Sequence, residues 1–279
     1  MIIAKIQGGL GNQLFQYAFA RAISKKNKTN LKLDLSFYEN MGAATPRKYS
    51  LSNYNIWEEY ATEVDVERIK NRVPGALNKI FRKVTPMFCS NYREDNRVFD
   101  RKALRLSDNC YIEGYWQNFR YFRRIEPLIR EELTLKCEVN QNTPILEQIK
   151  NTNSVSIHFR KTDYCSLGLD RGCNEEYYQK ALNLVVSKVN DPELFIFSDD
   201  IDWAKKNIRF NYKTTFVSDE DFIELYLMSC CKHNIIANSS FSWWGAWLNT
   251  HRGKVVVAPK AWPNPKAVSK IYPKGWKVI

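Results

Sequence analysis

At 279 residues, with 44% hydrophobic and 26% charged side chains and only 11 Gly and 10 Pro, the chain has the composition of a globular protein of one large or, by our reading, two ordinary domains. Disordered, collagen-like and low-complexity classes are excluded. The net charge of +12 points to anionic partners, namely nucleotides, nucleic acid or acidic lipid, without choosing among them.

The seven cysteines form no C-x-x-C pair and cannot all be paired, so a zinc site and a disulfide framework are both poor readings. Gly8-Gly9 interrupts the N-terminus before a signal-peptide core could form, and no apolar run approaches the roughly 18 residues of a membrane span. The expected location is a reducing cytoplasm.

In chain order, Ile2 to Ile6 is a short apolar strand and Gly8-Gly9-Leu10-Gly11 a glycine-rich turn. Leu14, Tyr17, Ala18 and Ala22 then recur at helical spacing through Lys26. Leu31, Leu33 and Leu35 alternate with Lys32 and Asp34, completing a strand, helix, strand order that means a parallel pair. Residues 41–110 read less clearly. Within them Ala76, Leu77, Ile80, Phe81 and Val84 mark one apolar helix face, with Lys79, Arg82 and Lys83 on the other. The plainer reading docks this helix on the core with its basic face in water; contact with an anionic membrane is the alternative. Local polarity at Asn140-Gln141-Asn142-Thr143-Pro144 suggests a domain boundary. Beyond it, strand candidates 154–160, 194–198, 214–218, 234–238 and 254–259 alternate with helices, clearest at 175–189 and 220–231, and predict a doubly wound α/β domain.

In such sheets ligands bind beyond the carboxyl ends of the strands. The first candidate ends in Ser154-Val155-Ser156-Ile157-His158-Phe159-Arg160-Lys161-Thr162-Asp163, where period two puts Val155, Ile157 and Phe159 on one face and Ser156, His158 and Arg160 on the other. A strand-end Arg paired with Asp163 beside a hydrogen-bonded His explains the same residues without a ligand. Ser198-Asp199-Asp200 and Ser218-Asp219-Glu220-Asp221 each lead into a helix, and the D-x-D candidates there, Asp200-x-Asp202 and Asp219-x-Asp221, read as helix caps before they read as metal sites. Asn238-Ser239-Ser240-Phe241-Ser242 leads into an aromatic helix, whose N-terminus suits phosphate as well as a plain serine cap. The Gly8 to Gln13 turn lacks the spacing of a Walker loop or a dinucleotide fingerprint.

Jointly, these blocks resemble the bacterial α-1,2-fucosyltransferases of glycosyltransferase family 11. The resemblance rests on Gly8-Gly9-Leu10-Gly11-Asn12-Gln13-Leu14-Phe15-Gln16-Tyr17-Ala18, on Gly114-Tyr115-Trp116-Gln117, on His158-Phe159-Arg160-Lys161-Thr162-Asp163-Tyr164 against the family's H-x-R-R-x-D-Y, on Phe197-Ser198-Asp199-Asp200, and on Asn238-Ser239-Ser240-Phe241-Ser242-Trp243-Trp244-Gly245. It implies an α/β, GT-B-like fold of two Rossmann-like domains facing across a cleft. Residues 1–140 would be the acceptor side, 141–260 the GDP-sugar domain, and 261–279 a tail packing back on the N-terminal domain.

By the same carry-over the enzyme is an inverting transferase that uses GDP-L-fucose, a galactoside acceptor and no metal or cofactor. Arg160, His158 and Asp163 are its catalytic candidates. Arg160, Lys161, Ser198, Asp199, Asn238, Ser239, Ser240, Phe241 and Ser242 would hold the donor, while Gly9, Gly11, Asn12, Gln13, Tyr115, Trp116 and Gln117 would face the sugar or acceptor. Asp163 is either a base or a group that orients Arg160. Lys161 departs from the second Arg of the block, replacing a bidentate fork by a point charge. The acceptor is expected to be a surface glycan, lipid-linked in one version, and the basic helix 75–84 and tail would then contact an anionic membrane. The rivals are a family member using another GDP-sugar and a nucleic-acid-binding protein, the latter disfavoured because most aromatics sit among Leu and Ile.

Overall fold

The computed structural model describes residues 1–39, 46–95, 98–136, 143–161, 173–262 and 271–279. The chain divides into two compact units, Met1–Lys136 and Cys137–Ile279.

The first unit is built on strands β1 (Ile2–Lys5), β2 (Leu31–Asp34), β3 (Asn91–Arg93) and β4 (Cys110–Glu113), in the order β2-β1-β4-β3. Every pairing is parallel. The helix Leu10–Asn27 links β1 to β2 as expected. It is buried on most of its circumference: Phe15, Tyr17, Ala18, Phe19 and Ile23 pack inward, so no simple amphipathic stripe appears. Strands β3 and β4 come from the stretch whose sequence pattern was unclear, because strands of three and four residues are too short to display a period; β4 is buried on both faces, whereas β3 is an edge strand with Arg93 exposed.

The second unit contains β5 (Asn153–Phe159), β6 (Pro192–Ser198), β7 (Thr214–Val217), β8 (His233–Ile235), β9 (Val256–Ala258) and β10 (Lys277–Val278), in the order β10-β9-β8-β5-β6-β7. All pairs are again parallel. Val155, Ile157 and Phe159 pack with Leu194 and Ile196 against Tyr177, Tyr178, Ala181, Leu182 and Val185 of the helix Glu175–Val186. Phe195 and Phe197 point to the opposite face, onto Leu146, Ile149, Leu227 and Met228. The period-two reading of the central strands thus delivers two covered faces, as a doubly wound sheet requires.

The C-terminal tail differs from expectation. Lys277–Val278 adds to β9 as an edge strand of the second sheet, Trp243 Nε1 donates to Ile271 O at 3.1 Å, and Tyr272 donates to Pro259 O at 2.9 Å. Trp276 lies 5.7 Å from Trp243, ring to ring. Residues 271–279 therefore pack on the second unit, because the aromatic helix Ser240–Leu248 offers them apolar surface there. Among the described residues no helix is long and apolar enough to cross a membrane.

Candidate active site

The second sheet reverses its direction of growth once. In the second unit β6 and β7 extend from one side of β5, and β8, β9 and β10 from the other. The junction of β5 and β8 is therefore a topological switch point, where neighbouring loops leave in opposite directions and open a crevice beyond the strand ends. Register fixes what arrives there: Ile157 pairs with Ile235, and Phe159 with Ser198. Arg160, Asp199 and the segment Asn238 to Ser242 accordingly emerge together at the carboxyl edge.

The Arg160 Nε–Asp199 Oδ2 distance is 3.2 Å, and Asp199 Oδ1 also accepts from Lys161 N at 2.8 Å. One carboxylate thus anchors the cation and the backbone beside it. Lys161 lies over the Trp203 ring at 4.2 Å. A point charge suits this cation–π position where a second guanidinium fork does not arise. Ser198 Oγ accepts from Asp200 N at 3.1 Å, and Asp200 caps the helix Ile201–Asn207 through Trp203 N at 2.9 Å. Ser198 is thereby a buried turn-former beneath the site.

His158 is only 2% exposed; its ring lies 5.6 Å from that of Phe241, and its carbonyl accepts from Tyr178 at 2.9 Å. Burial, aided by the nearby Arg160 charge and opposed by Asp199, pushes its pKa down to about 3, so the imidazole is neutral at physiological pH. His158 is thus a buried, neutral imidazole packed beside Phe241. Asp163 lies outside the described residues.

Ser239 is the N-cap of the helix Ser240–Leu248 and accepts from Phe241 N at 3.3 Å. Ser240 and Phe241 are partly exposed at the helix mouth, whereas Asn238 and Ser239 are buried. Asn238 N donates to Cys173 Sγ at 3.3 Å. Ser242 is fully buried, with its hydroxyl directed to Ala237 O and Ser239 O at 3.5 and 3.4 Å, so it braces the turn from inside. Behind it Gly245 admits close approach of the neighbouring helix, since a Cβ there would stand 2.9 Å from Met228 Cβ. The aromatic run Trp243, Trp244 and Trp247 is core.

Glu224, in the helix Asp221–Cys230, escaped the sequence reading. Burial pushes its carboxyl up to about 7; Asp219, Asp221 and Asp199 push the same way, and a hydrogen bond from Asp219 N at 3.1 Å opposes them. Nothing in a D-E-D-F-I-E string marks the last acid as the partly buried one. The cap expected of Asp219 is shifted too: Glu220 is the N-cap, and Asp219 accepts from Glu220 N at 2.8 Å.

The first sheet has the same logic. Strand β2 lies on one side of β1 and β4 on the other, so the loops after β1 and β4 meet at its switch point. Gly8 holds φ +79°, which suits glycine, and a Cβ there would press on Asn12 Nδ2 at 3.0 Å. Gly9 caps the helix and Gly11 is buried in its first turn. Gln117 Nε2 donates to Asn12 Oδ1 at 2.7 Å, so two of the expected acceptor-side residues do come together. Two others are buried side chains. Gln13 is fully buried, with Nε2 bound to Gly8 O and Lys48 O and Oε1 to Ser50 N, which leaves its amide occupied as a brace. Trp116, at φ +53°, stacks on Phe19 at 4.2 Å in the core. Tyr115 stays partly exposed, its backbone held by Glu94 Oε2 at 2.7 Å. Glu94 is a second residue that sequence reasoning missed. A Cβ on Gly114 would stand 2.4 Å from Glu94 Cβ, which explains the glycine.

The family model for glycosyl transferase family 11 matches residues 1–279. The chain belongs to glycosyltransferase family 11. This family member is 35% identical to an alpha-1,2-colitosyltransferase of Escherichia coli, with 94% of this chain and 92% of that protein covered. It is 31% identical to the O-antigen biosynthesis glycosyltransferase WbnK of Escherichia coli, with 97% and 98% covered. Among solved structures it resembles fucosyltransferase NodZ from Bradyrhizobium in fold, with a TM-score of 0.52 at 14% identity over 88% of this chain and 92% of that one. The family member is thus a glycosyltransferase of GT-B-like α/β class, with two Rossmann-like units.

Proposed function

We propose that this glycosyltransferase moves L-fucose from GDP-β-L-fucose to the 2-hydroxyl of a terminal β-galactoside in a surface glycan, with inversion and without a metal ion. The observation that carries the reading is the convergence of Arg160 and the N-terminus of the helix Ser240–Leu248 at the switch point between β5 and β8. Breaking the sugar–phosphate bond leaves negative charge on GDP. A fixed guanidinium and first-turn amides aimed at that charge lower the barrier without reorganising during the reaction. Asp199 keeps Arg160 in place, so the orientation exists before the donor arrives.

The acceptor side is assigned to Asn12, Gln117 and Tyr115 of the first unit, held by the Gln13 and Glu94 braces. Asp163 is the base candidate that the sequence offers for the acceptor hydroxyl. Cytoplasmic synthesis on a lipid-linked acceptor suits this reading. A second reading, another GDP-linked sugar such as colitose, has its own support in the 35% identity to a colitosyltransferase over 94% of the chain.

The test incubates the purified protein with GDP-fucose or GDP-colitose and with lactose or a Gal-β1,3-GalNAc glycan, then reads products by mass spectrometry, NMR and an α-1,2-specific fucosidase. A fucosylated product resistant to that fucosidase refutes the linkage, and turnover of GDP-colitose alone refutes the donor. Thermal shifts with GDP, UDP and single-stranded DNA address the remaining rival: a shift by DNA and not by GDP would revive nucleic-acid binding.

A further inference from the structure

Five of the ten exposed large hydrophobic side chains among the described residues fall within one stretch: Leu77, Ile80, Val84, Met87 and Phe88, between 47 and 69% exposed. Leu77, Ile80 and Val84 recur at i, i+3 and i+7 on the helix Gly75–Val84, and Met87 and Phe88 continue from the short turn Pro86–Phe88 behind it. No residue of the helix is buried. The docking expected from the sequence is thus replaced by a helix held by its edge. Asn78 bonds Asn91 O, Ser90 N and Asn91 N at 2.7, 2.9 and 3.2 Å; Phe81 meets Phe88 at 5.7 Å, and Lys102 donates to Lys83 O at 2.8 Å. The polar anchor leaves the apolar face turned outward.

The charge around that face is predominantly basic. Residues 72–88 contain Arg72, Lys79, Arg82 and Lys83 and no acid. Lys79, Lys83, Arg101, Lys102 and Arg105 are exposed, while Arg82 is paired with Asp95 at 2.6 Å. Single exposed apolar residues need no explanation, but an apolar stripe on an unburied helix, bordered by lysines and arginines, has the design of an in-plane helix that lies in the headgroup region of a bilayer. The lysines reach anionic headgroups while the Leu, Ile, Val, Met and Phe side chains enter the acyl boundary.

We propose that the helix Gly75–Val84, with Met87 and Phe88, seats the protein on an anionic lipid surface. In the tail, Trp262 and Ile271 are buried and Trp276 packs on Trp243, so these apolar side chains are occupied within the protein. The proposal does not depend on donor or acceptor identity, and its test uses no substrate.

The experiment is co-sedimentation of the full chain with vesicles of phosphatidylcholine alone and of phosphatidylcholine with phosphatidylglycerol, at low and high salt, with far-UV circular dichroism melts as a folding control. Binding is expected only to the anionic vesicles and weakens with salt. Ile80→Ser with Phe88→Ser should weaken it by about tenfold or more, the effect of withdrawing two large side chains from an apolar phase. Lys79→Glu with Lys83→Glu should weaken it while leaving the melt unchanged. No sedimentation with anionic vesicles overturns the proposal, as does binding that both double variants retain. Concentration-dependent self-association lost in the Ile80 and Phe88 variant, without vesicle binding, would assign the face to a second copy of the chain instead.

Discussion

Gln117 hands a hydrogen to Asn12 across the switch point of the first sheet, 105 residues apart in sequence and 2.7 Å apart in space. One residue follows β4 and the other follows β1, so the bond ties together two loops that the parallel pairing of those strands brings side by side.

Breaking that bond is expected to disturb the acceptor and not the donor. Asn12→Ala and Gln117→Ala should each raise the acceptor KM, and the double variant should show a coupling of about 0.5–1.5 kcal/mol, the net worth of one such hydrogen bond. Steady-state kinetics with donor and acceptor varied in turn checks this. Strict additivity, or a change confined to donor KM, would remove the pair from the acceptor side.

Arg160→Ala should lower kcat/KM for the donor by about 2–5 kcal/mol of transition-state stabilisation, since a mostly buried paired cation is lost and Asp199 is left alone. Asp199→Asn should keep the hydrogen bond from Lys161 N while loosening Arg160, and so cost less. Isothermal titration with GDP separates binding from turnover. Near wild-type GDP affinity and turnover in Arg160→Ala would remove Arg160 from the site.

Activity is expected to survive EDTA. Of the two D-x-D candidates, Asp200 caps a helix through Trp203 N at 2.9 Å and Asp219 accepts from Glu220 N at 2.8 Å, so both leading carboxylates serve the backbone. Loss of transfer in EDTA with recovery in Mn²⁺ would contradict this.

Glu224 and His158 make opposite contributions to the pH dependence of stability. The folded pKa of Glu224 is raised to about 7, so its contribution is present at pH values below its unfolded value near 4.5 and is lost as pH rises through 7. His158, depressed to about 3 from 6.5, binds its proton more readily in the unfolded chain, and stability therefore falls as pH drops below 6.5. Glu224→Gln should be more stable than the parent at pH 8, on the order of 1–3 kcal/mol and toward the lower end because the carboxyl is partly exposed, with the difference shrinking near pH 5. Urea melts across pH 5–8 check it; a pH-independent difference would mean that Glu224 does not titrate in this window.

Gln13→Leu is expected to destabilise the first unit without touching ligand directly. It leaves the buried Ser50 N without its acceptor and removes the amide that donates to Gly8 O and Lys48 O, at a cost of about 1–3 kcal/mol. Thermal melting should show a Tm several degrees lower, whereas an unchanged Tm with lost acceptor binding would return Gln13 to the ligand side.

Much of the fold is legible in local patterns. Alternation in Val155, Ile157 and Phe159 predicts β5 and its covered face, and the glycine turn followed by Leu14, Tyr17 and Ala18 predicts the first crossover, because strand and helix periods are local properties. The H-x-R block and the serine block are legible for the same reason: each is contiguous.

Tertiary structure decided which of those side chains face outward at the site. Gln13, Trp116 and Ser242 lie inside motifs that read as binding residues, yet packing turns each into the core, and Glu94 meets Tyr115 N only because β3 and β4 lie side by side. The apolar stripe of the helix Gly75–Val84 carries the same period whether it docks or faces water, and only the Asn78 anchor settled its direction. Periodicity specifies the kind of surface an element has. What covers that surface depends on residues far away in the chain, through contacts that no local pattern encodes.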